Sequence, residues 1–554
     1  MGSRMTRRSG LPGLVALAVV PVAVLAVFFV LPVAGMLARG LWPDGTFDPS
    51  GAVDVLTRER TGRVLWFTVA TSAAGTAGSL LLGLPVAWTL HRLALPGRRV
   101  VRALLLVPFV LPTVVVGVAF RELLGESGPL GFLGLDGTPV AVVAALVFFN
   151  VAVVVRAVGA AWESLDPRPA EAAAALGATP WQVWWTVTLP ALRPAIVSAG
   201  SVVFLFCATA FGVVLTLGGL RYATVETEIY LLTTNLLDLE GAAALSLLQL
   251  VVVAGLLALA QRLRATPAAA RRVVARSRAV RPSDAPLLVV TAVVLLGVAT
   301  PVATLVAGSL RTPDGWGLRN YAALASTGSG PGGSGALAVP VTEALVVSLR
   351  TAVDATWMAM LLGLLVAVVV TRRSRGRAER AVRAGLDGFF MLPLGVSAVT
   401  LGFGLLVTLD DGLLDLRASP LLVPVAQALV ALPLVVRTLA PVLAGIDPRQ
   451  RQAAASLGAG PWRTVAVVDL PVVWKPVLAA AGFAFAVSLG EFGATSFLFR
   501  EEAPTVPVVI FRLIGRPGEG NYGMALAASV VLAGVTALVV LAVERLRVRS
   551  VGAF

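Results

Sequence analysis

The sequence predicts an all-α integral membrane protein, with about twelve transmembrane helices in two homologous parallel halves of about six. Its composition is the first observation behind this prediction. Hydrophobic residues make up 57% of the 554 residues and charged residues only 13%, whereas soluble domains carry roughly a quarter charged residues. The mean hydropathy is +0.89, and apolar runs of about twenty residues can cross a bilayer as helices.

Apolar runs of this length recur along the chain and give the order of the predicted spans. An even number of spans in each half gives both halves the same orientation in the membrane. In the first half we place the spans near 11–37, 62–91, 101–120, 138–162, 195–217 and 240–261. In the second half we place them near 284–309, 343–371, 385–409, 420–444, 475–498 and 521–543.

An internal repeat is the second observation. Residues 165–181 read LDPRPAEAAAALGATPW and residues 446–462 read IDPRQRQAAASLGAGPW, so the two copies align without a gap at one constant offset in residue number. A chain whose segments recur at an offset of about half its length consists of two fused homologous halves. We therefore predict three regions: a first half (1–261, with the repeated loop at 165–195), a linker (262–283) and a second half (284–554, with the loop at 446–476).

The arginines predict the orientation, because loops rich in Arg and Lys stay on the cytoplasmic side. Arginines concentrate in alternate loops and at both ends of the chain: Arg4, Arg7, Arg8, Arg92, Arg98, Arg99, Arg102, Arg262 to Arg281, Arg372 to Arg383, Arg545, Arg547 and Arg549. Both termini and both repeated loops are therefore predicted to be cytoplasmic. We attribute the net charge of +14 to topology rather than to nucleic-acid binding, and place the linker near anionic lipid headgroups.

The repeated segment is predicted to form a helix, a break and a second helix. Asp166 and Asp447 are favourable N-caps, each followed by a proline suited to the first helical turn. An alanine-rich run favours the short helix, and Gly177 and Gly458 stand where a left-handed residue ends it. The result is a compact elbow whose small side chains allow another protein to approach closely.

These residues resemble the EAA loop of type I ABC importer permeases, and the layout resembles the fused iron(III)/thiamine branch of that family. The resemblance implies that each elbow docks on a cytoplasmic ABC ATPase. One chain would then bind two ATPase copies and, on its outer face, a substrate-binding protein, in a bacterial cytoplasmic membrane. The implied ATPase-coupling residues are Glu171, Ala172, Ala173, Gly177, Gln452, Ala453, Ala454 and Gly458.

The second elbow departs from the family pattern, because Gln452 replaces the usual glutamate. An equal electrostatic role for the two elbows is therefore not implied. The substrate is also left open by the sequence. Iron(III) is the leading expectation, thiamine or a thiamine precursor is the alternative, and another small solute is the third.

The chain lacks the residues that ATP hydrolysis or metal chemistry would need. Lys475 is the single lysine and stands outside any phosphate-binding loop motif, so ATP is expected on the partner ATPase. His91 is the single histidine, so no multi-histidine metal site is expected. We therefore predict a transporter subunit with no catalytic residues, no metal site and no cofactor of its own.

Polar residues inside predicted spans are candidates for function, because their burial in lipid is costly. Glu491 and Asn150 are candidate pathway residues. Arg156 and Arg437 are separated by the same offset as the two repeated loops, and are candidates either for bonding neighbouring helices or for supporting the elbows. For Glu491 the alternative is pairing with an arginine.

Two other classes of protein fit the sequence less well. A secondary transporter also has twelve spans in two parallel halves, but its arginine-rich signature follows the second span, whereas the repeat here follows the fourth. A membrane enzyme would need a nucleophile with its base or a metal cluster, and the sequence suggests neither.

Overall fold

The computed structural model describes residues 11–42, 45–105, 107–219, 221–263, 278–330, 335–371, 377–392, 396–409, 419–518 and 520–546. Within these ranges the chain folds into α-helices, with one small antiparallel hairpin. The predicted all-α class in two homologous halves is confirmed. Residues 264–277, most of the predicted linker, lie outside the described ranges.

The first half contains fourteen of the described α-helices, which short turns connect. They are α1 (Leu11–Leu25), α2 (Leu31–Leu41), α3 (Ser50–Thr57), α4 (Glu59–Arg92), α5 (Arg98–Leu104), α6 (Val107–Val110), α7 (Thr113–Leu124), α8 (Pro139–Glu163), α9 (Arg168–Ala175), α10 (Pro180–Val183), α11 (Leu189–Ala208), α12 (Gly212–Gly218), α13 (Val225–Thr234) and α14 (Leu239–Leu263). A π-helical turn at Ala26–Val30 joins α1 to α2 into one span.

The second half repeats this order from its first span onward. Its elements are α15 (Ala285–Leu310), β1 (Arg311–Thr312), β2 (Gly315–Trp316), α16 (Arg319–Ala322), α17 (Val341–Thr371), α18 (Arg377–Met391), α19 (Ala398–Thr408), α20 (Leu422–Ala444), α21 (Pro448–Ser456), α22 (Pro461–Thr464), α23 (Leu470–Leu489), α24 (Thr495–Leu498), α25 (Val506–Gly515) and α26 (Asn521–Leu546). Many equivalent helix ends in the two halves are separated by the same number of residues as the two repeated loops. Both ends of α11 and α23 show this offset.

The described residues contain ten helices that are long and apolar enough to span a membrane, or eleven if one bent pair counts as a span. The bent pair falls on the predicted third span: Val100–Val110 and Thr113–Leu124 meet at 100°. The predicted ninth span, 385–409, is likewise not one helix, since α18 ends before residue 392 and α19 begins at Ala398. Each half thus has five long spans and a broken third one.

Proline and capping chemistry explain where these third spans break. Pro112 has ψ 136° and precedes α7 as its N-cap, and its missing N–H cannot continue the helix before it. Ser397 has ψ 159° and accepts a hydrogen bond from the Thr400 amide at 3.0 Å, so it caps α19. Hydropathy measures how apolar a run is and does not detect such interruptions.

Close contacts between glycine and valine join the second and fourth spans of each half. A Cβ atom at Gly83 on α4 would lie 2.7 Å from Val154 on α8, and one at Gly363 on α17 would lie 2.5 Å from Val435 on α20. Real Cβ atoms do not approach that closely, so only glycine allows these backbones to come together, as is common between membrane helices. The two halves therefore share their internal packing.

The first span of each half packs against the other half as well as its own. α1 contacts α17 and α2 contacts α19, whereas α15 contacts α4 and α7. The buried core between the halves includes Val115 of α7, Ile229 of α13, Phe403 of α19 and Ile510 of α25. This exchange of first spans makes the two halves one folded unit.

Short buried helices follow the fifth span of each half and line the interface between the halves. α13 contacts α19 of the other half, and α25 contacts α7. Equivalent hydrogen bonds anchor their N-termini on the second spans: the Val225 amide donates to Thr68 Oγ1 at 3.0 Å, and the Val506 amide to Ser348 Oγ at 2.8 Å. These hydrogen bonds hold α13 and α25 at the interface between the two halves.

Candidate functional site

The first repeated segment forms an elbow of two short helices. α9 ends near Leu176, and Gly177 follows with a φ of +88°, the left-handed conformation that favours glycine. Thr179 then caps α10: its hydroxyl accepts from the Gln182 amide at 3.3 Å, and the Gln182 side chain accepts from the Thr179 amide at 2.8 Å. The predicted helix–break–helix structure is present.

The second segment forms an equivalent elbow from α21 and α22. Gly458 has a φ of +80° at the break. The Asp447 side chain caps α21 by accepting from the Arg449 amide at 2.9 Å, as the Asp166 side chain accepts from the Arg168 amide at 3.0 Å. Both predicted caps therefore act on the first turn of their elbow.

The implied coupling residues lie on the exposed surface of both elbows in the same pattern. Ala173 and Ala454 are half-buried, whereas the other six are exposed: Glu171, Ala172, Gly177, Gln452, Ala453 and Gly458. Their role in ATPase docking stays a prediction. The equivalent exposure of Glu171 and Gln452 shows that the two elbows differ at this point in charge and not in position.

Two leucines at the elbow tips were not singled out from the sequence. Leu176 is 89% exposed and Leu457 is 88% exposed. They occupy the same position in the two copies, directly before Gly177 and Gly458. A large apolar side chain that is nearly fully exposed at both equivalent sites is a candidate point of contact with a partner protein. The repeat itself was the available signal, because a leucine is kept there in an otherwise small-residue segment.

Each elbow continues directly into the fifth span of its half. A π-helical turn at Trp184–Thr188 joins α10 to α11, and one at Val465–Asp469 joins α22 to α23. In the first half the Trp184 ring stacks on Trp162 of α8, with centroids 5.6 Å apart. In the second half Arg451 Nε donates to Asp469 Oδ1 at 2.8 Å. The second helix of each elbow and the fifth span of its half therefore form one continuous run of helical backbone.

The two candidate arginines lie at equivalent places in the fourth spans. Arg156 is half-buried on α8, and Arg437 is exposed on α20. Both stand within the last turns of a span that leads into an elbow. Their contribution to coupling stays a prediction.

Glu491 lies in the break between α23 and α24 and is 6% exposed. Its carboxylate accepts hydrogen bonds from the amides of Ala494 at 2.8 Å and Thr495 at 3.0 Å, and from the Thr495 hydroxyl at 2.5 Å. It forms no salt bridge among the described residues. These contacts are those of a cap on α24, which neither the pathway hypothesis nor the arginine pairing anticipated.

Asn150 is buried within the first half. Its side-chain amide donates to the Leu146 carbonyl at 2.9 Å and to Cys207 Sγ at 3.5 Å. Cys207 belongs to α11, so Asn150 lies between the fourth and fifth spans of one half. Its Oδ1 atom has no hydrogen-bond partner among the described residues. A pathway role for Asn150 stays a prediction.

A second buried carboxylate, Glu226 of α13, was missed from the sequence. It accepts hydrogen bonds from the Gln249 side-chain amide and from Ser397 Oγ, the latter at 2.9 Å. Ser397 belongs to the second half, so this network ties the two halves together beside the broken ninth span. Gln249 and Ser397 are remote from Glu226 in the chain, which leaves no local pattern to find.

Metal-ligating side chains are scattered over the described parts of the chain. Within those ranges no group of three or more His, Cys, Asp or Glu side chains could hold a metal ion. The elbows, the buried carboxylates and the interface between the halves are therefore the features on which a functional assignment rests.

Comparison with known proteins identifies the family. Residues 79–265 and 359–549 each match the binding-protein-dependent transport system inner membrane component, and together they cover more than half of the chain. The chain belongs to this family. The double match confirms the fused two-half form and the assignment as a multi-pass membrane permease subunit of an ABC importer. Such permeases are transporter components and not enzymes, and they work with ATPase and substrate-binding partners.

Three relatives bear on the finer assignment. A probable ABC transporter permease, y4fN of Sinorhizobium fredii, is 29% identical over 92% of both chains. The thiamine transport permease ThiP of Escherichia coli is 27% identical over 79% of this chain and 80% of its own. The molybdenum transport permease ModB of Mycobacterium bovis is 36% identical, over 42% of this chain and 88% of its own.

Proposed function

We propose that this chain is the subunit through which thiamine, or a closely similar organic cation, crosses the membrane. The observation that carries the proposal is the extent of the similarity to ThiP, which runs through both halves of the fused chain. The molybdenum permease matches 42% of this chain over 88% of its own length, so its similarity covers about one half of the fused chain. Similarity through both halves includes the interface between them, where solute sites of two-half transporters lie.

Iron(III), the leading expectation from the sequence, receives no support from the three relatives named above. The expectation rested on the shared layout of the iron(III)/thiamine branch. Thiamine was the alternative within that branch, and a relative with similarity through both halves carries its name. We therefore place thiamine ahead of iron(III).

Coupling to ATP hydrolysis is proposed to occur at the two elbows. One chain carries both, so one copy is expected to bind two ATPase subunits and one outer substrate-binding protein. The exposed leucines fit this role, since an apolar tip on a small-residue surface can enter a cleft of a partner. The continuous path from elbow to fifth span would carry the movement towards the interface.

Reconstituted transport tests the substrate. The permease is placed in proteoliposomes with its ATPase and its substrate-binding protein, and uptake of labelled thiamine, iron(III) and molybdate is compared. We expect ATP-dependent accumulation of thiamine alone. Accumulation of iron(III) or molybdate without thiamine would overturn the substrate assignment, and the mass of the complex checks the ratio of one permease to two ATPases.

A further inference from the structure

A cluster of aromatic rings joins the two halves at their interface. The rings of Phe211 and Phe492 stack on each other, with centroids 5.3 Å apart and planes 18° apart. Tyr230 lies against Phe211 and Phe511 lies against Phe492, each with centroids 5.4 Å apart. Phe211 and Phe492 are equivalent positions of the repeat, and so are Tyr230 and Phe511, because each pair keeps the offset between the two elbows.

The stacked pair lies on the pseudo-two-fold axis of the molecule. In a two-fold arrangement, a contact between residue i of the first half and residue j of the second has an equivalent between residue j of the first half and residue i of the second. A residue can therefore touch its own equivalent only at the axis. Phe211 and Phe492 are equivalents in direct contact, so the axis passes between their rings. A route shared by two parallel halves runs along that axis.

The rings close this position completely. Phe211 is 5% exposed and Phe492 is 2% exposed. Gly212 allows the close approach, because a Cβ atom there would lie 3.2 Å from the Phe492 ring and 2.4 Å from Thr113 Oγ1. On the other side, a Cβ atom at Gly493 would lie 2.8 Å from Ala398. The absence of a side chain at Gly212 and Gly493 therefore allows both rings to lie close to the N-terminal ends of α7 and α19.

The backbone around the pair links it to the elbows. Phe211 lies in the break between α11 and α12, and Phe492 lies in the break between α23 and α24. α11 and α23 are the fifth spans, which continue from the elbows through the π-helical turns. Each ring therefore stands at the far end of the helix that its elbow would move.

We propose that Phe211 and Phe492 form the closed constriction of the translocation route, and that the solute passes between them. Tyr230 and Phe511 support the two rings from either side. Displacement of the elbows separates the fifth spans and parts the stack. This inference rests on the importer function proposed above, and it adds the residues that the solute meets at the narrowest point.

State-dependent cross-linking tests the constriction. In a Cys207→Ala background, which removes the sole native cysteine, Phe211→Cys is combined with Phe492→Cys. The matched control combines Phe120→Cys with Phe148→Cys, a buried pair 5.5 Å apart within the first half. Cross-linking by a short, reducible bis-methanethiosulfonate reagent is measured by intact mass of the denatured protein, in complexes without nucleotide and after trapping with ATP and vanadate.

We expect the axial pair to cross-link without nucleotide and to cross-link severalfold less after trapping. Cross-linking should remove about nine-tenths or more of ATP-driven uptake, with recovery on reduction, because the route cannot open. The control pair should behave alike in both states and transport normally. Equal cross-linking of the axial pair in both states, or uptake at the parent rate while it is cross-linked, would overturn the proposal.

A leak measurement tests the same constriction independently. Phe211→Ala combined with Phe492→Ala should increase ATP-independent efflux of preloaded thiamine severalfold, whereas Phe120→Ala, which removes a buried ring elsewhere, should not. Efflux equal to that of the parent would count against the proposal. If the parent fails to take up thiamine but the axial pair still responds to nucleotide, the substrate assignment fails and the constriction stands.

Discussion

Truncation of the exposed leucines should weaken ATPase binding without affecting the fold. Leu176→Ala and Leu457→Ala each shorten a side chain that is nearly fully exposed, so the melting temperature should not change. If the partner buries the leucine, the lost burial corresponds to about 2 kcal/mol. Since about 1.4 kcal/mol is tenfold in affinity, each variant should bind its ATPase about thirtyfold more weakly at that elbow.

The measurement is ATPase affinity for the purified permease in lipid nanodiscs, followed by uptake at limiting ATPase concentration. Leu81→Ala is the matched control, because Leu81 is also strongly exposed but lies within a spanning helix. It should leave ATPase affinity unchanged. Unchanged affinity in both elbow variants, or an equal loss in the Leu81 variant, would refute the assignment of the leucines to the docking surface.

Three further predictions concern the elbows and Glu491. Gly177→Pro or Gly458→Pro should abolish uptake while the protein still inserts, because proline cannot adopt the positive φ of these positions; normal transport by both would contradict the elbow assignment. Glu171→Ala should reduce uptake more than Gln452→Ala, since only the first removes a charge, and equal losses would remove that asymmetry. Glu491→Gln should lower thermal stability, because the NH₂ group of the new glutamine would face the amide donors of Ala494 and Thr495. Uptake per folded molecule should stay intact. A loss of uptake at unchanged stability would restore the pathway hypothesis.

The elbows could be predicted because their structure depends on neighbouring residues. An aspartate cap, a following proline, an alanine run and a glycine break act within one or two turns, and the repeat showed the pattern twice. The spanning helices were predictable for a similar reason, since the length of an apolar run is a local property.

The third and ninth spans and the buried carboxylate could not be predicted in the same way. Pro112 and Ser397 interrupt apolar runs whose hydropathy remains high, so a count of apolar residues passes over them. Glu226 acquires its role from Gln249 and from Ser397 of the other half. Contacts between residues so far apart in the chain leave no periodic pattern in the sequence. The exposure of Leu176 also depends on the folded surface and not on its neighbours in the sequence.

The exchange of first spans has a consequence for how the protein is made. During synthesis the first span enters the membrane long before α17 and α19 have left the ribosome, so its contacts with the second half form only later. The seventh span, α15, finds α4 and α7 already inserted. The first half therefore stays incomplete until the second arrives, and a chain truncated after the linker should be recognised and degraded as an orphan.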